Sequence, residues 1–242
     1  MTRPFRERIA KAADRKKSPI VLALDPPANK RGLAGFAAKT IRAAEQHVCA
    51  IKMNFHLILP LSAAEISRIN RLAHSCGLQS IADIKLNDIE NTNGVAIDHL
   101  AKMGFDAVIA NPFIGSGGME ALVKKAHGLG LGVIALVYMS HPGAKEGFGL
   151  EVAGKGLYKA FLERATNAGA DGMVVGATQQ DILREVAGRL PVYSPGVGAQ
   201  GGDAEQAIKN GSDYLIIGRS IVEARQPGKA AKEIKDRLPV RK

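Results

Sequence analysis

Short apolar runs alternate with amphipathic stretches along most of this chain. The runs are rich in Val, Ile and Leu and have the length of buried strands, whereas the stretches between them carry apolar residues three and four positions apart, as helices do. A first helix is predicted at about residues 4–16. Eight strands are predicted to follow, at residues 19–25, 48–54, 79–86, 107–113, 132–139, 172–177, 191–197 and 214–220.

Strands that alternate with helices form a parallel sheet with right-handed crossovers. Eight such units in 242 residues predict a single-domain (β/α)8 barrel over residues 1–242, with the first helix covering its N-terminal end. An open doubly wound sheet is the alternative. It is weakened because no Gly-x-Gly-x-x-Gly motif follows the first strand.

One long polar segment, SHPGAKEGFGLEVAG, follows the fifth predicted strand. Long loops in compact domains often bind ligands or close over them. This segment is therefore a candidate lid. Ser140 and His141 are neighbours in it, but no acid is placed to orient a catalytic triad, so we do not predict Ser–His catalysis.

Charged residues stand at the predicted carboxyl ends of three neighbouring strands, where barrel enzymes hold their active sites. Asp25 ends the first strand, Lys52 lies near the end of the second, and the third carries Asp83 and Lys85. Side chains alternate across a strand, so Asp83 and Lys85 should point to the same side. Inward-facing charges carry a large desolvation cost unless they are paired. A structural ion pair is one interpretation, but an active site explains the whole set better.

The segment SPGVGAQGGD predicts an anion site after the seventh strand. Four glycines in nine residues let backbone N–H groups approach a ligand closely, and a helix N-terminus follows. Arg219 comes after Gly218 at the end of the eighth strand and can bind phosphate through two parallel hydrogen bonds. The loops after strands seven and eight are the usual phosphate site of such barrels, so we predict a phosphate ligand.

The amino-acid composition limits the kinds of ligand and partner that this protein is expected to bind. A net charge of +10 suits a phosphorylated small molecule or nucleic acid, but Trp is absent and aromatic residues are few, which argues against base-stacking surfaces. Cys49 and Cys76 form no CxxC pair and no His cluster has metal-ligand spacing, so no metal site is expected. We expect no signal peptide, no membrane span and a reducing, cytoplasmic location.

The stretch DIKLNDIENTN resembles the Asp-x-Lys-x-x-Asp signature of orotidine 5′-monophosphate decarboxylases, and is most similar to the compact archaeal-type members. The similarity continues in order with LALD, IK, MSHPGA, SPGVGAQGGD and IIGRS, and covers nearly the whole chain. Glu90 stands where many members have Gly or Pro, while Thr92 keeps its place. We expect a local change in the turn without loss of activity.

The resemblance implies decarboxylation of orotidine 5′-monophosphate to uridine 5′-monophosphate, the last step of de novo pyrimidine nucleotide synthesis, with no metal or cofactor. By similarity, Asp83 lies against the substrate carboxylate, and Lys85 stabilises the carbanion at C6 and then protonates it. Lys52 and Asp88 complete an alternating charge array.

The resemblance also implies how the rest of the nucleotide is bound. The implied contacts are Asp25 and Lys52 with ribose, Ser140 with the pyrimidine, Gln200, Gly218 and Arg219 with phosphate, and Pro195, Gly196, Val197 and Gly201 as further substrate-binding positions. In the family, the residues corresponding to Asp88 and Thr92 reach the ribose bound by the other subunit of a homodimer.

Two other functions remain open. A Mg²⁺-dependent sugar-phosphate aldolase of the hexulose-6-phosphate synthase type shares the barrel, the signature and the phosphate site, although the SHPGA segment favours the decarboxylase. A non-catalytic phosphate- or nucleic-acid-binding protein is supported by net charge alone, and no helix-turn-helix, zinc finger or aromatic platform is present. We therefore expect no nucleic-acid partner and no contact with a membrane.

Overall fold

Eight parallel strands close into a barrel in the computed structural model, which describes residues 3–198 and 200–239. Each strand pairs with the next along the chain, and the eighth pairs with the first. The strands are β1 (Ile20–Ala23), β2 (Ala50–Asn54), β3 (Gln79–Leu86), β4 (Ala107–Ala110), β5 (Gly132–Tyr138), β6 (Gly172–Val175), β7 (Val192–Pro195) and β8 (Tyr214–Ile217). The predicted (β/α)8 barrel is confirmed, and the doubly wound sheet is excluded.

Helices cover the outside of the barrel and its N-terminal end. They are α1 (Phe5–Lys16), α2 (Leu33–Ala44), α3 (Phe55–Ile58), α4 (Ala63–Ser75), α5 (Glu90–Lys102), α6 (Gly115–Gly128), α7 (Leu157–Asn167), α8 (Gln180–Val186), α9 (Ala204–Lys209), α10 (Arg219–Val222) and α11 (Pro227–Arg237). No helix in residues 3–198 and 200–239 is long and apolar enough to cross a membrane. That all of residues 1–242 form one domain stays a prediction.

The strands are buried on both faces, which explains why they appear as continuous apolar runs in the sequence. Side chains that point outward pack against the helices, and side chains that point inward fill the barrel. The interior cluster includes Val21, Cys49, Ile81, Ile109, Ile134, Leu136, Val174, Tyr193, Tyr214 and Ile216.

Helix α1 closes the N-terminal end of the barrel. Phe5 and Ile9 are almost completely buried and belong to the interior cluster. The ring of Phe5 lies so close to Gly132 that a Cβ atom at that position would come within 2.5 Å of it. Because this end is filled with side chains, the opposite end of the barrel is the one left open for a ligand.

Several strands end earlier than the apolar pattern predicts. β4, predicted to reach residue 113, ends at Ala110, and Pro112 begins a 3₁₀ helix at Pro112–Ile114. β8, predicted to reach residue 220, ends at Ile217, and Arg219 begins α10. Proline has no N–H for the ladder and favours the first turn of a helix. Apolar runs that continue across such a boundary are therefore poor guides to where a strand stops.

The long segment after β5 is more ordered than a simple loop. It contains a 3₁₀ helix at Pro142–Glu146 and an exposed hairpin formed by Glu151–Val152 and Lys155–Gly156. Phe148 anchors the segment by packing against Tyr138 and Phe161, with ring centroids 5.8 and 5.9 Å apart. The segment thus begins at the open end of the barrel, next to the site described below.

Candidate active site

A cavity of about 240 Å³ opens at the carboxyl ends of the strands. Its base is apolar and is formed by Ile109, Leu136, Val174 and Ile216. Eleven of the residues predicted to act in the site line this cavity: Asp25, Lys52, Asp83, Lys85, Ser140, Pro195, Gly196, Val197, Gln200, Gly218 and Arg219. The cavity therefore combines an apolar base with a charged rim, and electrostatic interactions are stronger beside apolar groups than in bulk water.

Three charged side chains form a continuous ion-paired chain at one wall. Lys52 Nζ donates to Asp83 Oδ2 at 2.6 Å, and Lys85 Nζ donates to Asp83 Oδ1 at 2.7 Å. Lys52 and Asp83 are 5% and 7% exposed, respectively. Burial alone would raise the pKa of the Asp83 carboxyl, but the two ammonium groups outweigh it and hold that pKa below its usual value. Asp83 is therefore ionised and both of its oxygens are engaged.

The backbone of β3 is irregular where it carries this chain of charges. Its register against β4 shifts between Ala82 and Leu86, and Lys85 has a φ of 47°, in the left-handed region that L-residues other than Asn and Asp rarely adopt. Such irregularities often redirect side chains beside active sites. The side chain of Lys85 is 36% exposed, so its ammonium group is the solvent-accessible end of the Lys52–Asp83–Lys85 series of ion pairs.

Asp25 stands apart from these charges and has a neutral partner. Asn54 Nδ2 donates to Asp25 Oδ1 at 2.6 Å. Gly218 lets the backbone of β8 come close, since a Cβ atom on Gly218 would lie 3.1 Å from Asp25 Oδ2. Asn54 is not among the site residues predicted from the sequence. Its position two residues after Lys52, and hence on the same face of β2, was the available signal.

The glycine-rich segment after β7 forms a tight turn at the mouth of the cavity. Gly196, Gly198 and Gly201 have φ values of 93°, 72° and 86°, which only glycine adopts without strain. Gly198 N donates to Gly202 O at 2.8 Å, and Gly202 N donates to Gly196 O at 3.0 Å. Arg219 lies at the start of the neighbouring α10, is exposed, and forms no ion pair within residues 3–198 and 200–239. Its charge is thus free for a ligand anion.

A hydrogen bond joins the two loops above the cavity. Ser140 Oγ, directly after β5, donates to Gln200 Oε1 in the glycine-rich turn at 2.7 Å. The approach is close, because a Cβ atom on Gly196 would lie 2.9 Å from Ser140 Cβ. His141 also lines the cavity, but the hydroxyl of Ser140 is used by Gln200. The arrangement links the loops and gives no support to a Ser–His nucleophile.

Three predicted residues lie outside this cavity. Asp88 and Thr92 are exposed, and Asp88 Oδ1 accepts from the backbone N–H of Ile89 at 2.7 Å. Gly201 lies in the glycine-rich turn without lining the cavity. Of the four charged residues predicted to be catalytic, Lys52, Asp83 and Lys85 are therefore in contact within one chain, and Asp88 does not join them.

Glu90 is the first residue of α5, with Ile89 as the residue before the helix. A carboxylate in the first turn interacts favourably with the helix dipole. This position explains how Glu90 is accommodated where many members of the resembling family have Gly or Pro. Glu90 does not line the cavity.

The donor set of the cavity does not favour a metal ion. In the described part of the chain, no group of three or more His, Cys, Asp or Glu side chains is arranged to hold one. Both oxygens of Asp83 are bonded to ammonium groups, so a divalent cation would have to displace them and remain beside two positive charges.

Comparisons with known proteins agree with this geometry. A model of the orotidine 5′-phosphate decarboxylase / HUMPS family matches residues 18–234. An orotidine 5′-phosphate decarboxylase from Pyrococcus abyssi is 35% identical over 90% of this chain and 98% of its own length. One from Methanosarcina barkeri is 37% identical over 90% of this chain and 94% of its own. The crystal structure of orotidine 5′-monophosphate decarboxylase from Methanocaldococcus jannaschii, complexed with the inhibitor BMP, is similar with a TM-score of 0.80. It is 31% identical and the match covers 90% of this chain and 97% of that one.

Proposed function

Because this chain belongs to the orotidine 5′-phosphate decarboxylase / HUMPS family, we propose that it converts orotidine 5′-monophosphate to uridine 5′-monophosphate and CO₂. The observation that carries the proposal is the ion-paired chain Lys52–Asp83–Lys85 above an apolar base. A reaction that leaves negative charge on carbon needs a fixed cation at that carbon, and Lys85 supplies one.

The proposed reaction uses Asp83 and Lys85 in turn. The substrate carboxylate lies against Asp83, and the bond between that carboxylate and C6 breaks so that the electron pair stays on C6. CO₂ leaves, and the ammonium group of Lys85 stabilises the carbanion and then transfers a proton to C6. Lys85 regains its proton from water. Because Asp83 holds Lys85 through a 2.7 Å hydrogen bond, the charge is in place before the reaction begins.

The remaining predicted residues are proposed to bind the parts of the nucleotide that do not react. Asp25 and Lys52 contact the ribose, Ser140 contacts the pyrimidine, and Gln200, Gly218 and Arg219 contact the phosphate, with residues 195–197 and Gly201 forming the turn around it. Binding energy from a remote phosphate can be used to close and order a site. The Ser140–Gln200 hydrogen bond supports this, because it connects the pyrimidine loop to the phosphate loop.

We also propose that the protein works as a homodimer. Large apolar side chains are exposed after three neighbouring strands: Phe55 and Leu59 follow β2, Ile89 follows β3, and Phe113 follows β4, with exposed fractions between 46% and 74%. Large apolar side chains that are exposed together on one surface often mark a protein–protein interaction site. Asp88 lies next to Ile89 at this surface, outside its own cavity, where it can reach the site of a partner subunit.

Mixing two inactive variants tests this shared site. Asp88→Ala should lower kcat/KM by about 100-fold, because it removes one charge from the array around C6. Co-refolding it with Lys85→Ala should restore about a quarter of wild-type activity, since half of the dimers are mixed and each mixed dimer has one intact site. Lys85→Ala mixed with Asp83→Asn is the matched control and should give no recovery, because both residues belong to the same chain's site. If isolated heterodimers of one Asp88→Ala chain and one Lys85→Ala chain have no activity, the shared site is contradicted.

The protein is proposed to act without a metal ion and in the cytoplasm. Neither Cys49 nor Cys76 forms a disulfide in residues 3–198 and 200–239, as is typical of proteins in reducing compartments. The aldolase and nucleic-acid-binding alternatives are not favoured, because the two relatives described above are both decarboxylases.

One assay tests the activity and its independence of metal together. Purified protein in EDTA should lower the ultraviolet absorbance of orotidine 5′-monophosphate and release uridine 5′-monophosphate and CO₂. Addition of Mg²⁺ should not raise the rate. A folded protein that leaves the nucleotide intact, but condenses formaldehyde with a pentulose phosphate only when Mg²⁺ is present, would instead be the aldolase.

A further inference from the structure

We propose that Asn54 is a positioning residue that holds Asp25 in the orientation needed to bind ribose hydroxyls, and that it thereby sets the preference of this site for nucleotides with an intact ribose. The inference rests on the proposed function, because Asp25 must face the ribose of the bound nucleotide. It adds a residue that the sequence motifs do not include.

The amide of Asn54 is held at both of its polar ends. Its Oδ1 accepts a hydrogen bond from His56 N at 3.0 Å and so caps the short helix α3. Its Nδ2 donates to Asp25 Oδ1 at 2.6 Å. Since the oxygen is occupied by a backbone N–H, only the nitrogen can face Asp25, and the amide has one orientation.

The carboxylate of Asp25 depends on this one contact. In residues 3–198 and 200–239, Asn54 is the hydrogen-bond partner of Asp25, and Asp25 takes part in no ion pair. Asp25 Oδ2 points toward Gly218, at the edge of the cavity, and has no partner in the described chain. One oxygen is thus fixed by Asn54, and the other is presented to a ligand.

Strand β2 keeps the two carboxylates of the site apart. Lys52 and Asn54 lie two positions apart and point to the same face, where Lys52 binds Asp83 and Asn54 binds Asp25. A cation at position 54 would neutralise Asp25, and an acid there would repel it. A neutral amide orients the carboxylate while leaving its charge available to accept hydrogen bonds from two hydroxyl groups.

The test compares two ligands that differ only in the ribose. For wild-type protein, we expect uridine 5′-monophosphate to bind more tightly than 2′,3′-dideoxyuridine 5′-monophosphate, as measured by calorimetry. Asn54→Ala should weaken binding of the first ligand by about 10-fold, the loss expected for a hydrogen bond to a charged group, and change binding of the second less than about 2-fold. In an Asp25→Ala background, Asn54→Ala should cause no further loss.

Asn111→Ala is the matched control. Asn111 follows β4 and caps the next 3₁₀ helix through the same type of hydrogen bond, which Phe113 N donates to Asn111 Oδ1 at 3.0 Å. Unlike Asn54, it does not line the cavity. It should leave the affinities for both ligands unchanged. Equal losses for both ligands with Asn54→Ala, or losses that add to those of Asp25→Ala, would overturn the inference while decarboxylation by the wild type stands. Wild-type protein that neither decarboxylates orotidine 5′-monophosphate nor prefers the intact ribose would overturn the proposed function as well.

Discussion

Lys85→Ala is expected to lower kcat/KM for orotidine 5′-monophosphate by about 10⁴-fold, because in the proposed mechanism it removes both the cation that stabilises the carbanion and the acid that protonates it. Each of these roles is typically worth ~10²-fold or more. Lys85 is the accessible end of the ion-paired chain, and Lys52 remains bonded to Asp83 without it. The variant should therefore fold and still bind uridine 5′-monophosphate through the phosphate and ribose contacts.

Steady-state kinetics and calorimetry with the product measure these two effects separately. Lys102→Ala is a suitable control, because Lys102 is exposed at the end of α5, the helix that follows the same strand. It should keep wild-type kinetics. A Lys85→Ala enzyme that retains more than about a tenth of the wild-type rate would contradict the proton-donor role, since general acid groups contribute far more than that.

Asp83→Asn should have the second largest effect, and it should act on folding as well as turnover. The substitution leaves the ammonium group of Lys52, only 5% exposed, without a counter-charge. Loss of one partner of a buried ion pair commonly costs about 3–5 kcal/mol of unfolding free energy. Turnover should fall at the same time, because Lys85 also loses the partner that orients it.

The pH dependence of the unfolding free energy independently tests whether the ionised Asp83 carboxylate stabilises the fold. Its pKa is lowered in the folded state, so its contribution to stability is present above the unfolded pKa of about 3.9 and is lost as pH falls through the lower folded value. Chemical denaturation should thus show a large difference between wild type and Asp83→Asn at pH 7 that shrinks below about pH 4.

The control for Asp83→Asn is Asp181→Asn. Asp181 pairs with Arg184 on the surface, where its side chain is 94% exposed, and such pairs contribute less than about 1 kcal/mol. A loss of stability for Asp83→Asn no greater than that of Asp181→Asn, or one that is independent of pH, would contradict the buried charge chain.

The barrel and most of the residues that line the cavity could be predicted from the sequence, because the patterns that indicate them are local. Strand β3 begins and ends at the predicted residues 79 and 86. The positive φ values in the glycine-rich turn could be expected because glycine adopts them without strain. Asp25, Lys52, Asp83 and Lys85 could be placed together because the carboxyl ends of parallel strands share one face of a barrel.

Other features of the site could not be predicted, because they depend on tertiary contacts that leave no local pattern in the sequence. The left-handed backbone of Lys85 breaks the simple alternation from which its orientation was predicted. Asn54 bears no charge, and its hydrogen-bond partner Asp25 lies 29 residues away, just after the neighbouring strand, so this contact forms only when β1 and β2 pair. Asp88 and Thr92 lie outside the cavity of their own chain, so the ribose contacts expected of them depend on the proposed homodimer.

Exchange of the C6 proton of uridine 5′-monophosphate in D₂O tests the central claim, that the ion-paired chain acts on a carbanion at C6. The wild-type protein should catalyse incorporation of deuterium at C6, followed by proton NMR, since exchange passes through the same carbanion as decarboxylation. Lys85→Ala should bind the nucleotide without exchange. Equal exchange rates with Lys85→Ala and wild type, or no exchange by a wild-type protein that binds the nucleotide, would contradict the account.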